Sequence, residues 1–155
     1  MRIFVTGAGG YIGSALAERL RGEHQVIAPT RREFDLLEFE PLDLSRFGAD
    51  VVYLCAAKTR FIDCERDPNA YRVNVDAQIA LARYFPKAIY LSSEAVESAL
   101  HTAYGMQKAL AEVGLTKFNA TIARLGKVTD QNLSALTYWL SRLVDARPGV
   151  YRWGI

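Results

Sequence analysis

Short apolar runs alternate with amphipathic stretches of helix length along this chain. Ile3-Phe4-Val5 reads as a first strand, and a helix is expected over 11–21 because Ile12, Leu16 and Leu20 recur four apart. Gln25 to Ala28 reads as a second strand, ended by Pro29, and Val51 to Cys55 as a third. Pro68 can open a helix over 68–84, with Val73, Ala77, Ala80 and Leu81 on one side. Ala88 to Leu91 is a fourth strand, residues 102–114 a helix ending near Gly114, and Ala120 to Ala123 a fifth strand. Asn132 to Ala146 reads as a helix stopped by Pro148-Gly149, and Val150 to Trp153 as a sixth strand. Continuous apolar strands are buried on both faces, and helices between them make the sheet parallel. The expectation is an α/β fold with a doubly wound parallel sheet, a single minimal domain.

Composition narrows the classes without changing that picture. Half of the 155 residues are hydrophobic and 23% are charged, the balance of a soluble globular chain. A chain of this size buries about 70% of its unfolded surface and needs no disulfide or metal to fold. The net charge of +2, with basic residues scattered, gives no reason to expect a nucleic-acid partner. Cys55 and Cys64 lack metal-ligand spacing, and a buried thiol at Cys55 fits a reducing, cytoplasmic setting. No run is long enough for a membrane span, and Met1 to Val5 enters a strand pattern rather than a leader.

The first strand runs into "TGAGGYIG", residues 6–13. Gly7 lets the chain turn out of the strand, Gly10 lets a pyrophosphate approach the backbone, and Gly13 lets the helix pack closely. The helix N-terminus then offers free N–H groups and partial positive charge to phosphates. A glycine-rich turn without a ligand is the alternative, but its place between a strand and a helix favours a dinucleotide site. At the end of the second strand, where an acid usually binds the ribose of NAD, the chain reads "VIAPTRRE". Thr30 stands at the acid's place, and the forks of Arg31 and Arg32 suit a 2′-phosphate. NADPH is therefore expected, with NADH as the alternative if the arginines are solvated and Glu33 meets the ribose.

"SSEAVESALHTAYGMQK", residues 92–108, holds the candidate chemistry. Tyr104 and Lys108 are four apart on an expected helix and share a face. An ammonium about 4 Å from a phenol oxygen contributes about 4 kcal/mol at an effective dielectric near 20. That is enough to bring a tyrosine from about 10 to near 7, where it exchanges protons with a substrate oxygen. Ser93, at the end of the fourth strand, can hydrogen-bond the same oxygen. The spacing alone is weak, since each residue can equally be an ordinary polar position.

The order of pieces is more specific. TGxxGYIG, "CAAKT", "VNVDA", "LSSEAV", YxxxK and "IARLG" together resemble the extended short-chain dehydrogenase/reductase family, of Rossmann fold. "REFDLLE" and "AAKTRFIDCERDPNAYRVNVDA" are similar to its dTDP-4-dehydrorhamnose reductase branch. The resemblance implies a triad of Ser93, Tyr104 and Lys108, with Lys108 also holding the nicotinamide ribose. It implies that Gly7, Gly10, Tyr11 and Ile12 line the pyrophosphate and that Asp35 and Leu36 flank the adenine. Ala56 and Ala57 would pass beneath the cofactor, and Asn74 would steady the site. The chain departs in two places. Only "EAVESALHTA" separates the serine from the tyrosine, and after the fifth strand there is one helix and one strand in place of a substrate domain. The expected unit is residues 1–155, an NAD(P)-binding domain with a truncated substrate-binding region.

The leading expectation is an NADPH-dependent carbonyl reductase acting on a small-molecule carbonyl or a sugar nucleotide. The alternatives are a nucleotide-sugar epimerase or dehydratase, a cofactor sensor without catalysis, and a subunit completed by a partner. A homodimer through helices 68–84 and 102–114 is also expected, because Val75, Ile79, Met106 and Leu110 lie off the sheet-facing side. The closing "GVYRWGI", with Trp153, is expected to join that interface or to cover the crevice.

Overall fold

The computed structural model describes residues 1–40, 44 and 46–154. Six strands form one sheet: β1 Arg2–Thr6, β2 Gln25–Ile27, β3 Val51–Leu54, β4 Lys87–Ser93, β5 Thr121–Leu125 and β6 Gly149–Trp153. Their order is β2-β1-β3-β4-β5-β6, and every pairing is parallel. The helices are α1 Tyr11–Arg21, α2 Phe61–Arg66, α3 over 70–82, α4 Ala95–Ser98, α5 Ala103–Leu115 and α6 Asp130–Arg142.

Alternate residues of each strand serve opposite faces, and both faces are dry. Ile3, Val5, Val51, Tyr53, Ile89 and Leu91 pack with Leu16 and Leu20 of α1 and Leu136 and Leu140 of α6. Phe4, Val52, Leu54 and Tyr90 pack with Leu81 of α3 and Ala111 and Leu115 of α5. This two-sided burial is why the strands read as continuous apolar runs. The chain leaves β1 toward β2 on one side and β3 on the other, so the strand order reverses there. A crevice opens at the carboxyl ends of the strands at such a switch point, which is where open α/β sheets take their ligands.

Two expected helices shift at their ends. Pro68 lies in a turn held by Asn69 N–H donating to Asp67 Oδ1 (2.9 Å), so α3 begins later and carries a π-helical turn over Arg72–Asp76. The helix expected to end near Gly114 ends at Leu115; a Cβ at Gly114 would stand 2.2 Å from Ile79 Cδ1, so the glycine also admits α3. The last helix starts at Asp130, where Thr129 and Asn132 form a capping box, and it passes into a 3₁₀ turn over Leu143–Asp145. Trp153 packs against Trp139, with ring centroids 5.5 Å apart and planes 38° apart, and Ile155 lies outside the described residues. No helix among the described residues is long and apolar enough to cross a membrane.

Candidate functional site

A cleft of about 720 Å³ opens at the switch point. The glycine turn forms one wall, the segment after β2 closes one end, and the Ser93–Tyr104–Lys108 group stands at the other.

The turn is built for close backbone approach. Gly7 has φ +68°, and a Cβ there would lie 2.6 Å from the Ala56 amide nitrogen, so only glycine fits between β1 and β3. Gly10 donates its N–H to Gly7 O at 2.9 Å and caps α1. Gly13 is required by the turn itself rather than by the sheet, since its Cβ would stand 2.2 Å from Gly7 O. Below, Thr6 Oγ1 accepts from the amides of Cys55 (3.1 Å) and Ala56 (3.2 Å), locking the ends of β1 and β3 together. Tyr11 and Ile12 line the cleft, and the Tyr11 hydroxyl donates to Asp130 at the start of α6. The free amides, the bare glycine surface and Ala56-Ala57 opposite them fit a dinucleotide's pyrophosphate.

The adenosine end divides the expected residues. Arg31, Asp35 and Leu36 line the cleft, whereas Thr30 and Arg32 lie outside it. Thr30 donates both its N–H (2.7 Å) and its hydroxyl (2.9 Å) to Glu33, a local turn that engages the carboxylate named as the alternative ribose ligand. Those two bonds hold the Glu33 carboxyl below the usual range. Arg31 stays exposed at the rim, with Nε 3.4 Å from Asp35 Oδ2.

The chemical end is set by β4 and α5. Thr102 caps α5 by accepting from Gly105 N–H at 3.1 Å, which puts Tyr104 in the first turn and Lys108 one turn further on. Gly105 is buried against α4, where a Cβ would stand 2.2 Å from Ala99 O, so the short loop presses the tyrosine toward Ser93. Ser93 and Tyr104 share a hydrogen bond, which lowers the phenol, but burial outweighs it and the Tyr104 hydroxyl titrates above its ordinary value. Lys108 is buried and donates to Leu91 O at 2.7 Å, with Nζ 4.6 Å from the Tyr90 ring and 5.9 Å from the Tyr104 ring. Burial lowers this ammonium to about 8, against the opposing pull of Cys55, Glu112 and Cys64. The expected electrostatic lowering of Tyr104 by Lys108 is therefore absent: the ammonium is spent on a backbone carbonyl and is itself destabilised. Burial likewise pushes the Cys55 thiol up to about 12.

Asn74 sits outside the cleft, on the π-helical turn. Its side chain accepts from Lys58 N–H (2.8 Å) and donates to Lys58 O (2.9 Å) and Gln107 Oε1 (2.8 Å). It ties the loop after β3 to the helix that carries Tyr104, and so acts through other groups. Gln78 braces the same loop by donating to Ala56 O (2.9 Å) and Val73 O (2.9 Å). Sequence reasoning missed Thr6, Lys58, Gln78, Gly105 and Gln107. Gly105 alone carried a signal, as a glycine inside a helix beside a candidate tyrosine.

Behind the triad, Glu112 is buried and accepts from Ser92 Oγ (2.5 Å) and Arg124 Nη2 (2.7 Å). Arg124 also reaches Glu97 (2.5 Å) on α4, and Arg152 meets the same carboxylate at 2.8 Å. The network clamps the short Ser93–Tyr104 segment onto β5 and β6.

Known proteins share this fold. The family model described as "RmlD substrate binding domain" matches residues 1–99. A dTDP-4-dehydrorhamnose reductase of Mycolicibacterium smegmatis is 36% identical over 75 residues, which is 47% of this chain and 23% of that protein. The dTDP-4-dehydrorhamnose reductase of Bacillus anthracis, solved in complex with NADP, superposes with a TM-score of 0.86 at 17% identity over 98% of this chain and 74% of that one. The Bordetella bronchiseptica enzyme WbmG, in complex with NAD, does so with 0.74 at 19% over 99% and 72%. With a glycine-turn cleft at the switch point and a family match over residues 1–99, the chain belongs to the RmlD substrate binding domain family.

Proposed function

We propose that the chain is an NADPH-dependent carbonyl reductase, and that residues 1–155 form its NAD(P)-binding unit. The observation that carries this reading is that Ser93, Tyr104 and Lys108 line the same cleft as the glycine turn. Gly7, Gly10, Tyr11, Ile12 and Gly13 would hold the pyrophosphate, Asp35 and Leu36 the adenine, and Lys108 the nicotinamide ribose. When bound, the cofactor supplies a hydride to the carbonyl carbon. Ser93 orients the carbonyl oxygen, and Tyr104 gives that oxygen its proton. A raised Tyr104 suits this direction, because the hydroxyl stays protonated at neutral pH. NADPH consumption against aldehydes, ketones and keto-sugar nucleotides tests the reading. Binding of NADPH with no consumption by any carbonyl would leave a sensor.

The family match favours a second reading, a reductase of dTDP-linked keto sugars. The same assay separates the two. Both thiols are free, in keeping with a reducing cytoplasmic setting.

Cofactor choice rests on Arg31. Its fork is exposed at the cleft rim, beside the place where a 2′-phosphate would lie. Arg31→Ala should weaken NADPH about tenfold and leave NADH within about twofold, because one charged hydrogen bond at an exposed site is removed. Calorimetry showing tighter NADH binding by the unaltered protein would reverse the assignment.

We further propose a homodimer, on a revised set of contacts. Val75 is buried inside the protein and Ile79 packs under Gly114, so neither is free to pair. Met106, Leu110 and Val113 instead form an open apolar stripe on α5. Two such stripes around a twofold axis, flanked by α3, would close as a four-helix contact. Light scattering should give close to twice the chain mass of 17.3 kDa, and Leu110→Arg should return the single-chain value. A single-chain mass for the unaltered protein at micromolar concentration refutes the pairing.

A further inference from the structure

We propose that Gln107 is a positioning residue for the reduction, which through Asn74 sets the helix carrying Tyr104 against the loop beneath the cofactor; this rests on the reductase reading above.

Reduction delivers a hydride and a proton to the two ends of one C=O bond. The hydride would come from a cofactor lying over Ala56 and Ala57, and the proton from Tyr104. These two supports leave different strands. The loop of Ala56 and Ala57 follows β3, whereas α5 follows β4 by way of α4. Their relative placement decides whether hydride and proton reach the same carbonyl, and a misplacement of about 1 Å costs about 10² in rate.

Two buried side chains join the supports. Asn74 is 1% exposed and Gln107 6%. Asn74 Oδ1 accepts from Lys58 N–H (2.8 Å), and its Nδ2 donates to Lys58 O (2.9 Å). Those two bonds fix which way the amide faces. The second Nδ2 hydrogen is left for α5, where Gln107 Oε1 accepts it at 2.8 Å. Cys64 Sγ, 3.5 Å from the same nitrogen, is a weaker acceptor and itself donates to Lys58 O at 3.3 Å. Lys58 and Thr59 line the cleft, and so does Lys108, the residue after Gln107. The bond therefore ties the two sides of the site together from behind. Position 107 must present a strong acceptor to Asn74. Glutamine and glutamate do so, while methionine, of similar length, offers only a thioether.

The cofactor's floor is anchored without Gln107. Ala56 N–H donates to Thr6 Oγ1 (3.2 Å), and Ala56 O accepts from Gln78 Nε2 (2.9 Å). The helix likewise keeps its Thr102 cap and the bond from Lys108 to Leu91 O. Loss of the acceptor at 107 thus leaves the cofactor held and loosens the join between Lys58-Thr59 and α5. The defect falls on turnover rather than on binding.

The test compares the parent chain with Gln107→Met and Gln107→Glu. NADPH Kd is measured by fluorescence titration, and kcat and KM with the most rapidly reduced carbonyl of the panel above. Gln107→Met should lose about 10–100-fold in kcat while KM and the NADPH Kd stay within about twofold. Gln107→Glu should recover turnover to within about threefold of the parent, because its carboxylate accepts from the same Nδ2. A Gln107→Met protein that turns over like its parent overturns the positioning role and leaves the reductase reading standing. So do equal losses in kcat and NADPH affinity, or a Gln107→Glu protein as slow as Gln107→Met. An unfolded Gln107→Met chain by circular dichroism would make the bond a structural one only, and overturns the role too. A parent chain that fails to bind NADPH, or binds it and reduces no carbonyl, overturns the reductase reading and this inference with it.

Discussion

Tyr104→Phe should lower carbonyl reduction by about 10²–10⁴-fold, the usual contribution of a positioned general acid. The NADPH Kd should stay within about twofold, because the phenol oxygen is removed while the glycine turn and Lys108 remain. The ring should also keep its place. It leans on Phe61 and is carried by a helix whose first turn is fixed by the Thr102 cap and the Gly105 contact. The pH dependence follows from the direction of the shift. Tyr104 titrates above its ordinary value, so the proton-bearing form dominates at neutral pH and reduction should not weaken there. Alcohol oxidation needs the phenolate and should gain as pH rises. Steady-state rates and fluorescence titration of the same preparation decide the matter. A folded Tyr104→Phe protein that keeps most of its turnover would remove the tyrosine from the chemistry.

The positions just named mark where sequence was informative. Strand runs were legible because both sheet faces are buried, which writes continuous apolar stretches into the chain. The glycine turn was legible because Gly7 and Gly13 are forced by backbone contacts that no side chain can share. The face shared by Tyr104 and Lys108 follows from helix geometry alone. What Lys108 does on that face does not, since its partner is a β4 carbonyl brought close only by the fold. For the same reason the sequence could not show that Asn74 answers to Lys58 and Gln107 rather than to the cleft. α2 escaped notice because Phe61 and Ile62 face outward, so the segment has no core-facing stripe to count. The π-helical turn escaped because one extra residue in a turn leaves no periodic trace. Thr30 sits where an acid would, but a carboxylate three residues on takes its donors, a local competition that composition does not reveal.

Lys108→Met should stabilise the protein at pH 7 while abolishing tight cofactor binding. The side chain is buried, its ammonium touches one carbonyl and the Tyr90 ring, and burial lowers it from 10.5 to about 8. A lysine lowered on folding costs stability wherever both states are protonated, that is, below about pH 8. Between about 8 and 10.5 the unfolded chain holds more protons than the folded one, so stability rises with pH across that window. The full cost is about 3 kcal/mol, at about 1.4 kcal/mol for each pKa unit. Methionine keeps the stem and removes the charge, but it leaves Leu91 O without the Nζ donor at a cost of about 1–2 kcal/mol. A net gain of about 1–2 kcal/mol is therefore expected at pH 7. It should shrink between pH 8 and 9, as the unaltered protein sheds the proton. Above 9 the Cys55 thiol, raised to about 12 by burial and pulled down by Lys108, begins to favour the folded state less as pH climbs, so the comparison is made at or below pH 9. Denaturant unfolding of both proteins at pH 7 and pH 9 measures this. A Lys108→Met protein less stable than its parent at pH 7, or a difference that grows with pH, would mean that the ammonium is paired in the folded protein. The site would then hold Lys108 as a structural ion rather than as a charge kept at the expense of stability for a bound ribose and a proton donor.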